Sequence, residues 1–174
     1  MSARASRTRV ARNTRRISCS FTVTNYGLKD SDMPVVSITR LRVRSWRYLL
    51  PFFVGALQSA WQAKKAEGNL AVSVLRQPGR VFWTRTVWTS EDAMKSFMLS
   101  GPHRGVMRPL LEWCDEAALV HWMQEGSEPP SWPEAHRRLQ EEGRTSKVNH
   151  PSEHHRAYHI PALRLPIRGE ARLK

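Results

Sequence analysis

Apolar and polar residues alternate along several stretches of the chain, and such alternation predicts β-strands. In residues 35–44, VVSITRLRVR, Leu41 and Val43 share one face and three arginines share the other. The same alternation runs through residues 69–88 on both sides of a Pro-Gly pair, which is typical of the centre of a type II turn. The pattern therefore predicts one strand with a single buried face, followed later by a hairpin.

Elsewhere, apolar residues recur every three or four positions, which predicts amphipathic helices. The first helix begins at Pro51 and ends at Gly68, since proline favours the first helical turn and glycine the left-handed stop. A second helix begins after Ser90, where a hydroxyl can cap it. A third begins at Pro102, and we expect Pro109 to kink it or end it early because proline removes a backbone donor.

Residues 116–124 alternate again and predict a fourth strand. Ser131 and Glu134 then form a capping box for an appended C-terminal helix that ends at Gly143. Without that last helix, the order is the β-α-β-β-α-β pattern of a ferredoxin-like domain, which belongs to the α+β class. Helices on one face would leave the other face of the sheet bare, and self-association of two sheets is the simplest way to cover it.

These patterns divide the chain into four parts. A ferredoxin-like domain is predicted over residues 34–124, and an appended loop and helix over residues 125–148. Residues 1–33 are predicted to be a basic disordered tail, and residues 149–174 a disordered tail rich in His and Arg, because both hold few periodic apolar positions.

The first 32 residues also allow other interpretations. They have no acidic residue before Asp30 and are rich in Arg, Ser and Thr, as organellar targeting segments are. The first strand pattern begins directly after Met33, so Met33 is a candidate for the true start. We favour that start, or a disordered tail, over a targeting role.

The formal net charge of +13 raises the question of nucleic-acid binding, because clustered Lys and Arg neutralise phosphates. The charge is spread over the whole chain, and no ribonucleoprotein, helix-turn-helix or zinc-finger pattern accompanies it, so nucleic acid is not expected to be the main partner. The two cysteines form neither a disulfide framework nor a metal-ligand spacing, so we expect a cytoplasmic location. No run of about 18 apolar residues occurs, so we expect no membrane partner.

Residues 34–124 resemble the antibiotic biosynthesis monooxygenase family of the dimeric α/β barrel superfamily. The resemblance is carried by the order of the elements, by Gly68 and by VWTSEDAMKSFMLSGPH at residues 87–103. It implies a homodimer and a flat hydrophobic or aromatic small molecule held between sheet and helices. Several members of that family need no metal or flavin, so the resemblance implies oxygenation without a cofactor.

The haem-degrading branch of the superfamily provides a sharper comparison. Its members carry an Asn on the first strand, a Trp at the end of the third strand and a haem-binding His on the following helix. Trp88 matches the tryptophan, but Thr39 stands in place of the Asn and Met107 in place of the His, with His103 one turn earlier. Haem is therefore disfavoured as a cofactor.

The resemblance selects five candidate site residues. Trp88, Thr39, Met107 and Trp83 are predicted to contact a substrate, and His103 is predicted to act as acid or base. His103 would lie near a helix N-terminus, where the dipole favours a neutral ring that can take a proton from a phenol. Packing alone remains the alternative for each residue, and a non-catalytic ligand-binding or interaction module is the alternative function.

One metal-like motif is set aside. HPSEHH, at residues 150–155, satisfies a zinc peptidase pattern that requires both histidines on one face of a helix. Pro151 and the polar residues around the motif argue against such a helix, so no metal site is predicted.

Overall fold

The computed structural model describes residues 33–174. They form one antiparallel sheet with helices packed against it. The six strands lie in the order β5-β4-β1-β3-β2-β6, and every neighbouring pair is antiparallel. They are β1 (Val35–Val43), β2 (Asn69–Gln77), β3 (Val81–Trp88), β4 (Cys114–Met123), β5 (Arg144–Thr145) and β6 (Glu170–Arg172).

The same residues form five α-helices, and none of these is long and apolar enough to cross a membrane. They are α1 (Leu49–Lys65), α2 (Glu91–Met98), α3 (Gly101–Trp113), α4 (Trp132–Glu142) and the single turn α5 (Glu153–Arg156).

The predicted ferredoxin-like fold is confirmed by the four long strands. They lie in the order β4-β1-β3-β2, and α1 and the pair α2–α3 make the two connections between them. Two predicted helix caps are also confirmed. Ser90 accepts a hydrogen bond from the Ala93 N–H at 3.2 Å, and Ser131 accepts one from the Glu134 N–H at 3.3 Å.

Of the two effects expected at Pro109, a kink or an early end of the third helix, the early end is wrong. Helix α3 continues through Pro109 to Trp113. Leu110 and Trp113 pack with the buried cluster around Phe52 and Cys114. These tertiary contacts hold the last turn in place although one backbone hydrogen bond is missing.

The two sides of the sheet are covered by different parts of the chain. Helices α1 to α3 lie on one side, which we call the helix face, and its buried residues include Val35, Val72 and Trp88. Helix α4 and the segment that follows it lie on the other side, which we call the tail face. Its buried core comprises Val36, Ile38, Ala71, Leu75, Trp83, Val87, Ala118, Val120, Trp132, Ala135, Leu139 and Ile160.

This arrangement corrects the expectation of a bare sheet face. The tail face is covered by α4, whose Trp132, Ala135 and Leu139 are buried against it. A dimeric barrel was expected because two bare sheets would cover each other. Here the chain's own C-terminal residues occupy that side, so the argument for sheet-to-sheet pairing no longer applies.

The prediction of a disordered tail over residues 149–174 is also corrected. Strand β6 pairs with β2, Ile160 is buried in the tail-face core, and Leu163 and Ile167 pack against it. The segment has no periodic pattern because its few apolar residues contact the sheet instead of one another. Sequence periodicity reports packing within an element and gives no indication of such contacts.

The first strand likewise differs from its prediction. An exposed arginine face was expected, but Arg40 is 3% exposed on the tail face. Its guanidinium donates to Glu116 at 2.6 Å, and Ser152 donates a further hydrogen bond to the same carboxylate at 3.1 Å. Arg42 adds a bidentate pair with Asp115. Paired in this way, charged groups can lie beneath the tail without an unmatched charge.

Cys114 is fully buried at the start of β4, and burial raises the pKa of its thiol to about 12. It therefore packs as a small apolar residue. The interpretations of residues 1–32 lie outside the described residues.

Candidate ligand site on the helix face

The middle of the helix face carries four hydroxyl side chains on its two central strands. The pairing of β1 with β3 places Thr39 opposite Thr84 and Ser37 opposite Thr86. Directly paired side chains on one face lie about 5 Å apart, so the four hydroxyls form one compact group. We call Ser37, Thr39, Thr84 and Thr86 the hydroxyl patch.

The outer strands continue both rows of the patch. Leu119 on β4 and Val74 on β2 extend the row of Thr39 and Thr84 with apolar side chains. His121 on β4 extends the row of Ser37 and Thr86. Burial lowers the pKa of His121, and the nearby positive charge of Arg144 lowers it further. The floor of this face is therefore neutral, polar in its centre and apolar on both sides of the Thr39 row.

All four hydroxyl residues remain partly exposed, although β1 and β3 have neighbours on both sides. The helices above explain this exposure. Along the 17 residues of α1 only Phe52 and Ala63 are buried, and α3 has no buried residue. The helices thus leave the hydroxyl patch in the middle of the sheet partly exposed.

Trp88 lies at one end of this surface and is completely buried. Its indole N–H donates to the Thr86 hydroxyl oxygen at 2.8 Å. That bond occupies Thr86 as an acceptor and leaves its hydroxyl proton available to another group. Trp88 therefore orients a member of the hydroxyl patch in this structure.

An aromatic stack joins Trp88 to the predicted acid or base. The Trp88 and Phe97 rings stack with centroids 5.0 Å apart, and the His103 ring centroid lies 4.5 Å from that of Phe97. The structure therefore brings Trp88 and His103 into one cluster, in which Phe97 contacts both. Phe97 was not predicted to be a site residue.

The hydrogen bond of His103 defines which ring nitrogen is free. Nδ1 lies 3.1 Å from the Met98 carbonyl oxygen, which can only accept, so in the neutral ring Nδ1 carries the proton and Nε2 does not. Burial lowers the pKa of His103 and outweighs the opposite effect of that carbonyl. The ring is thus a neutral base with an unprotonated Nε2.

Gln62 on α1 fixes the junction between α2 and α3. Its Oε1 accepts from the His103 backbone N–H at 2.8 Å, and its Nε2 donates to the Phe97 and Ser100 carbonyls at 3.2 and 3.1 Å. Gly101 adopts a φ of +51°, and a Cβ there would come within 3.1 Å of the Gln62 amide. Sequence periodicity gave no indication of this contact, because its partners are backbone atoms of another helix.

The other two predicted site residues, Met107 and Trp83, do not belong to the cluster of Trp88, Phe97 and His103. Met107 lies one turn after His103 and is 41% exposed. Trp83 is 1% exposed on the tail face, where the Arg40 guanidinium lies 6.0 Å from its ring. Trp83 and Trp88 are an odd number of residues apart on one strand, so they point to opposite faces and cannot line one site on the helix face.

Clearly formed concave regions lie elsewhere on the surface. One is a groove of about 880 Å³ between the outer sides of α1 and α3, and none of the five predicted residues lines it. Within residues 33–174, no three His, Cys, Asp or Glu side chains are grouped so that they could hold a metal ion.

The chain matches a known protein family. Residues 54–154, more than half of its length, match the family described as a domain of unknown function, DUF3291. The chain belongs to the DUF3291 family. The match extends beyond the fourth long strand through α4 and into α5. The DUF3291 unit therefore includes much of the layer that covers the tail face.

Several solved structures are similar to parts of this DUF3291 chain. A conserved protein from Bacteroides thetaiotaomicron, titled a possible oxidoreductase, is 14% identical, with 54% of this chain and 100% of that chain covered and a TM-score of 0.49. SnoaB, a cofactor-independent oxygenase from Streptomyces nogalater, is 17% identical, with 57% and 97% covered and a TM-score of 0.42. A candidate antibiotic biosynthesis monooxygenase from Chloroflexus aurantiacus is 18% identical, with 55% and 96% covered and a TM-score of 0.43.

The ferredoxin-like fold of this chain is defined by the strand order of its own sheet. Identities this low carry nothing about activity. No curated protein matches the DUF3291 chain.

Proposed function

We propose that the protein binds a flat, mainly apolar small molecule with oxygen substituents between the helix face and the helices α1 to α3. The observation that carries the proposal is the partly exposed hydroxyl patch on two central strands. Side chains at the centre of a covered sheet are ordinarily apolar and buried. A row with hydroxyls in its centre and Leu119 and Val74 at its ends matches a flat ring system that carries oxygens near its middle.

The hydroxyl patch also defines the polar contacts. Each threonine or serine hydroxyl can both donate and accept, so the floor suits ketone, phenol and quinone oxygens alike. His103 and His121 are favoured as neutral rings by burial, so an uncharged ligand meets no fixed charge there. A cytoplasmic location belongs to the same proposal and is supported by the low cysteine content.

Ligand binding can be tested with two tricyclic probes. Alizarin is a flat tricycle with two hydroxyl and two carbonyl oxygens, and anthracene is the same tricycle without oxygen. We expect alizarin to quench the tryptophan fluorescence and raise the unfolding temperature, and the double variant Thr39→Val/Thr84→Val to abolish both effects. Thr145→Val on strand β5 is the control, and it should leave both effects unchanged.

The proposal is abandoned if the double variant binds alizarin as the unaltered protein does. Binding of anthracene with the same affinity would contradict the role of the hydroxyl patch, because anthracene has no oxygen that could form a hydrogen bond with it.

A second candidate function is oxygenation without a cofactor, and the free Nε2 of His103 favours it. A neutral imidazole can take the proton from an electron-rich phenol or from the methylene carbon of an anthrone. With O2, that methylene carbon becomes a carbonyl and one molecule of water is released. We expect the protein to speed oxygen uptake in the presence of an anthrone, and His103→Gln to lose that acceleration while still binding alizarin.

The two candidates are distinguished by one comparison. If alizarin binds but anthrone oxidation stays at the uncatalysed rate, the protein is a binding module. If His103→Gln keeps full turnover, His103 is not the base.

A further inference from the structure

The outer side of α1 carries a row of exposed apolar side chains, which we call the apolar stripe. It consists of Leu50, Val54, Leu57 and Trp61, which are 75%, 50%, 58% and 52% exposed. Their spacing of four, three and four residues keeps them on one side of the helix. Single exposed apolar residues are ordinary on a protein surface, but a continuous row of this size is typical of a binding surface.

A groove runs beside the stripe between α1 and α3. Its volume is about 880 Å³, and Val54, Leu57 and Trp61 belong to both the stripe and the groove. The wall on α3 includes Pro102, Gly105 and Pro109, which have no long side chains. A Cβ added at Gly105 would have no atom within 4 Å, which shows how open the groove is at its middle.

The shape of this surface fits a third helix. The 17 residues of α1 span about 25 Å, so a helix of similar length can lie along the groove. The spacing of the apolar stripe is the one at which side chains of one helix meet those of another. We propose that the groove between α1 and α3 binds an acidic amphipathic helix of a partner protein.

The sign of the partner's charge follows from the charges of the two helices. Helix α1 contains no acidic residue, and Lys64 and Lys65 place their ammonium groups 5.4 and 5.8 Å from the Trp61 ring. Helix α3 carries Arg104 and Arg108 on its exposed side. Its one acidic residue, Glu112, is already paired with Arg44 and His150. Acidic residues beside the partner's apolar row would therefore be attracted.

The same charges disfavour other occupants. A second copy of this chain would place a basic α1 against a basic α1. Residues 1–32 carry seven basic and two acidic residues, so their charge has the wrong sign as well. A bilayer surface is flat at this scale and would leave the groove unfilled.

A display library of helical peptides tests the proposal without a known partner. Each peptide has about 20 residues, with leucine fixed at the spacing of the apolar stripe and with Glu, Lys, Gln or Ala allowed at the flanking positions. The library is selected on the full protein. We expect peptides rich in Glu to be enriched and their binding to weaken as the salt concentration rises.

The blocking variant is Gly105→Leu. Leucine favours a helix more than glycine does, and the space around Gly105 is empty, so the fold should tolerate the change while the groove is filled. We expect it to lower the affinity of a selected peptide by about tenfold or more. Ser96→Leu is the control, because it adds the same side chain at an exposed position of α2 that does not line the groove.

Charge is tested separately with Lys64→Glu/Lys65→Glu. For a Glu-rich peptide we expect a loss of affinity of about tenfold, and for a variant peptide with Lys at the same positions we expect a gain.

The proposal is overturned if no peptide is enriched above the level found on Gly105→Leu, or if Lys-rich peptides are enriched instead. It is also overturned if vesicles of phosphatidylserine bind the protein and Gly105→Leu abolishes that binding. It is likewise overturned if sedimentation shows a dimer that Gly105→Leu dissociates.

Discussion

The two faces of the sheet are covered in opposite ways. On the tail face, α4 and the segment after it bury large side chains such as Trp83 and Leu139, and Arg40 and Glu116 are paired beneath them. On the helix face, the helices bury little of their own surface and leave the hydroxyl patch partly exposed. One face is closed by the chain itself, and the other stays accessible at its centre.

This difference indicates where stability and function reside. The buried pair on the tail face is neutral as a unit, and Ser152 satisfies a further oxygen of Glu116, so no buried charge is left alone. The helix face holds hydroxyls and neutral histidines, which cost little when partly exposed and remain available to a ligand. Changes on the tail face should therefore affect folding, and changes on the helix face should affect binding.

The largest expected effect comes from Glu116→Ala. The substitution leaves Arg40 buried without its carboxylate, and we expect a loss of about 3–5 kcal/mol in the free energy of unfolding. Urea unfolding at neutral pH measures it. Glu134→Ala on the exposed side of α4 is the control, with an expected loss within about 1 kcal/mol. Similar losses for both would remove the distinction between a buried and an exposed ion pair.

A slightly smaller effect is expected from Leu139→Ala on α4. Leu139 is 0% exposed, and the cavity left by its side chain should lower the free energy of unfolding by about 2–5 kcal/mol. The matched change on the helix face is Met107→Ala, for which we expect less than about 1 kcal/mol because Met107 is 41% exposed. If Leu139→Ala costs no more than Met107→Ala, α4 is not part of the folding unit.

Several partly buried histidines should each contribute to the pH dependence of stability. The pKa of His103 lies below its ordinary value of 6.5 in the folded chain, so between the two values the unfolded chain binds more protons. The contribution of His103 to stability is complete above pH 6.5 and is lost as the pH falls through the pKa that His103 has in the folded chain. Stability should thus decrease with decreasing pH, and His103→Gln should make the decrease less steep.

Urea unfolding at several pH values between about 8 and 5.5 checks this prediction. His121 and His155 are shifted in the same direction, so part of the slope should remain in the variant. An unchanged slope would mean that the His103 ring is hydrated in the folded protein.

The smallest effect on stability is expected from Thr84→Val in the hydroxyl patch, within about 1 kcal/mol, since the residue is partly exposed and valine favours strands. Ser73→Ala on the tail face should cost more, about 1–3 kcal/mol, because Ser73 is 1% exposed and accepts a hydrogen bond from the Arg85 guanidinium. Thermal unfolding of both variants gives the comparison. A larger cost at Thr84 would mark the hydroxyl patch as a structural feature instead of a ligand site.

Some features of the site were readable from the sequence. Alternation on the third strand places Thr84, Thr86 and Trp88 on one side, and the same rule places Trp83 on the other. The prediction that Trp83 shares a ligand site with Trp88 therefore contradicted a pattern that the sequence already contained. The link between Trp88 and His103 was not readable, because it passes through Phe97 on a different element.

The sequence by itself determined the order of strands and helices and the caps at Ser90 and Ser131, because these depend on neighbours a few residues away. Only the tertiary structure decided how the sheet is covered. Ile160, Leu163 and Ile167 are too sparse to show a period, yet each packs with the tail-face core, which is formed mainly by strands more than 30 residues earlier in the chain. Contacts of that kind depend on the shape of the assembled sheet, and local patterns do not encode it.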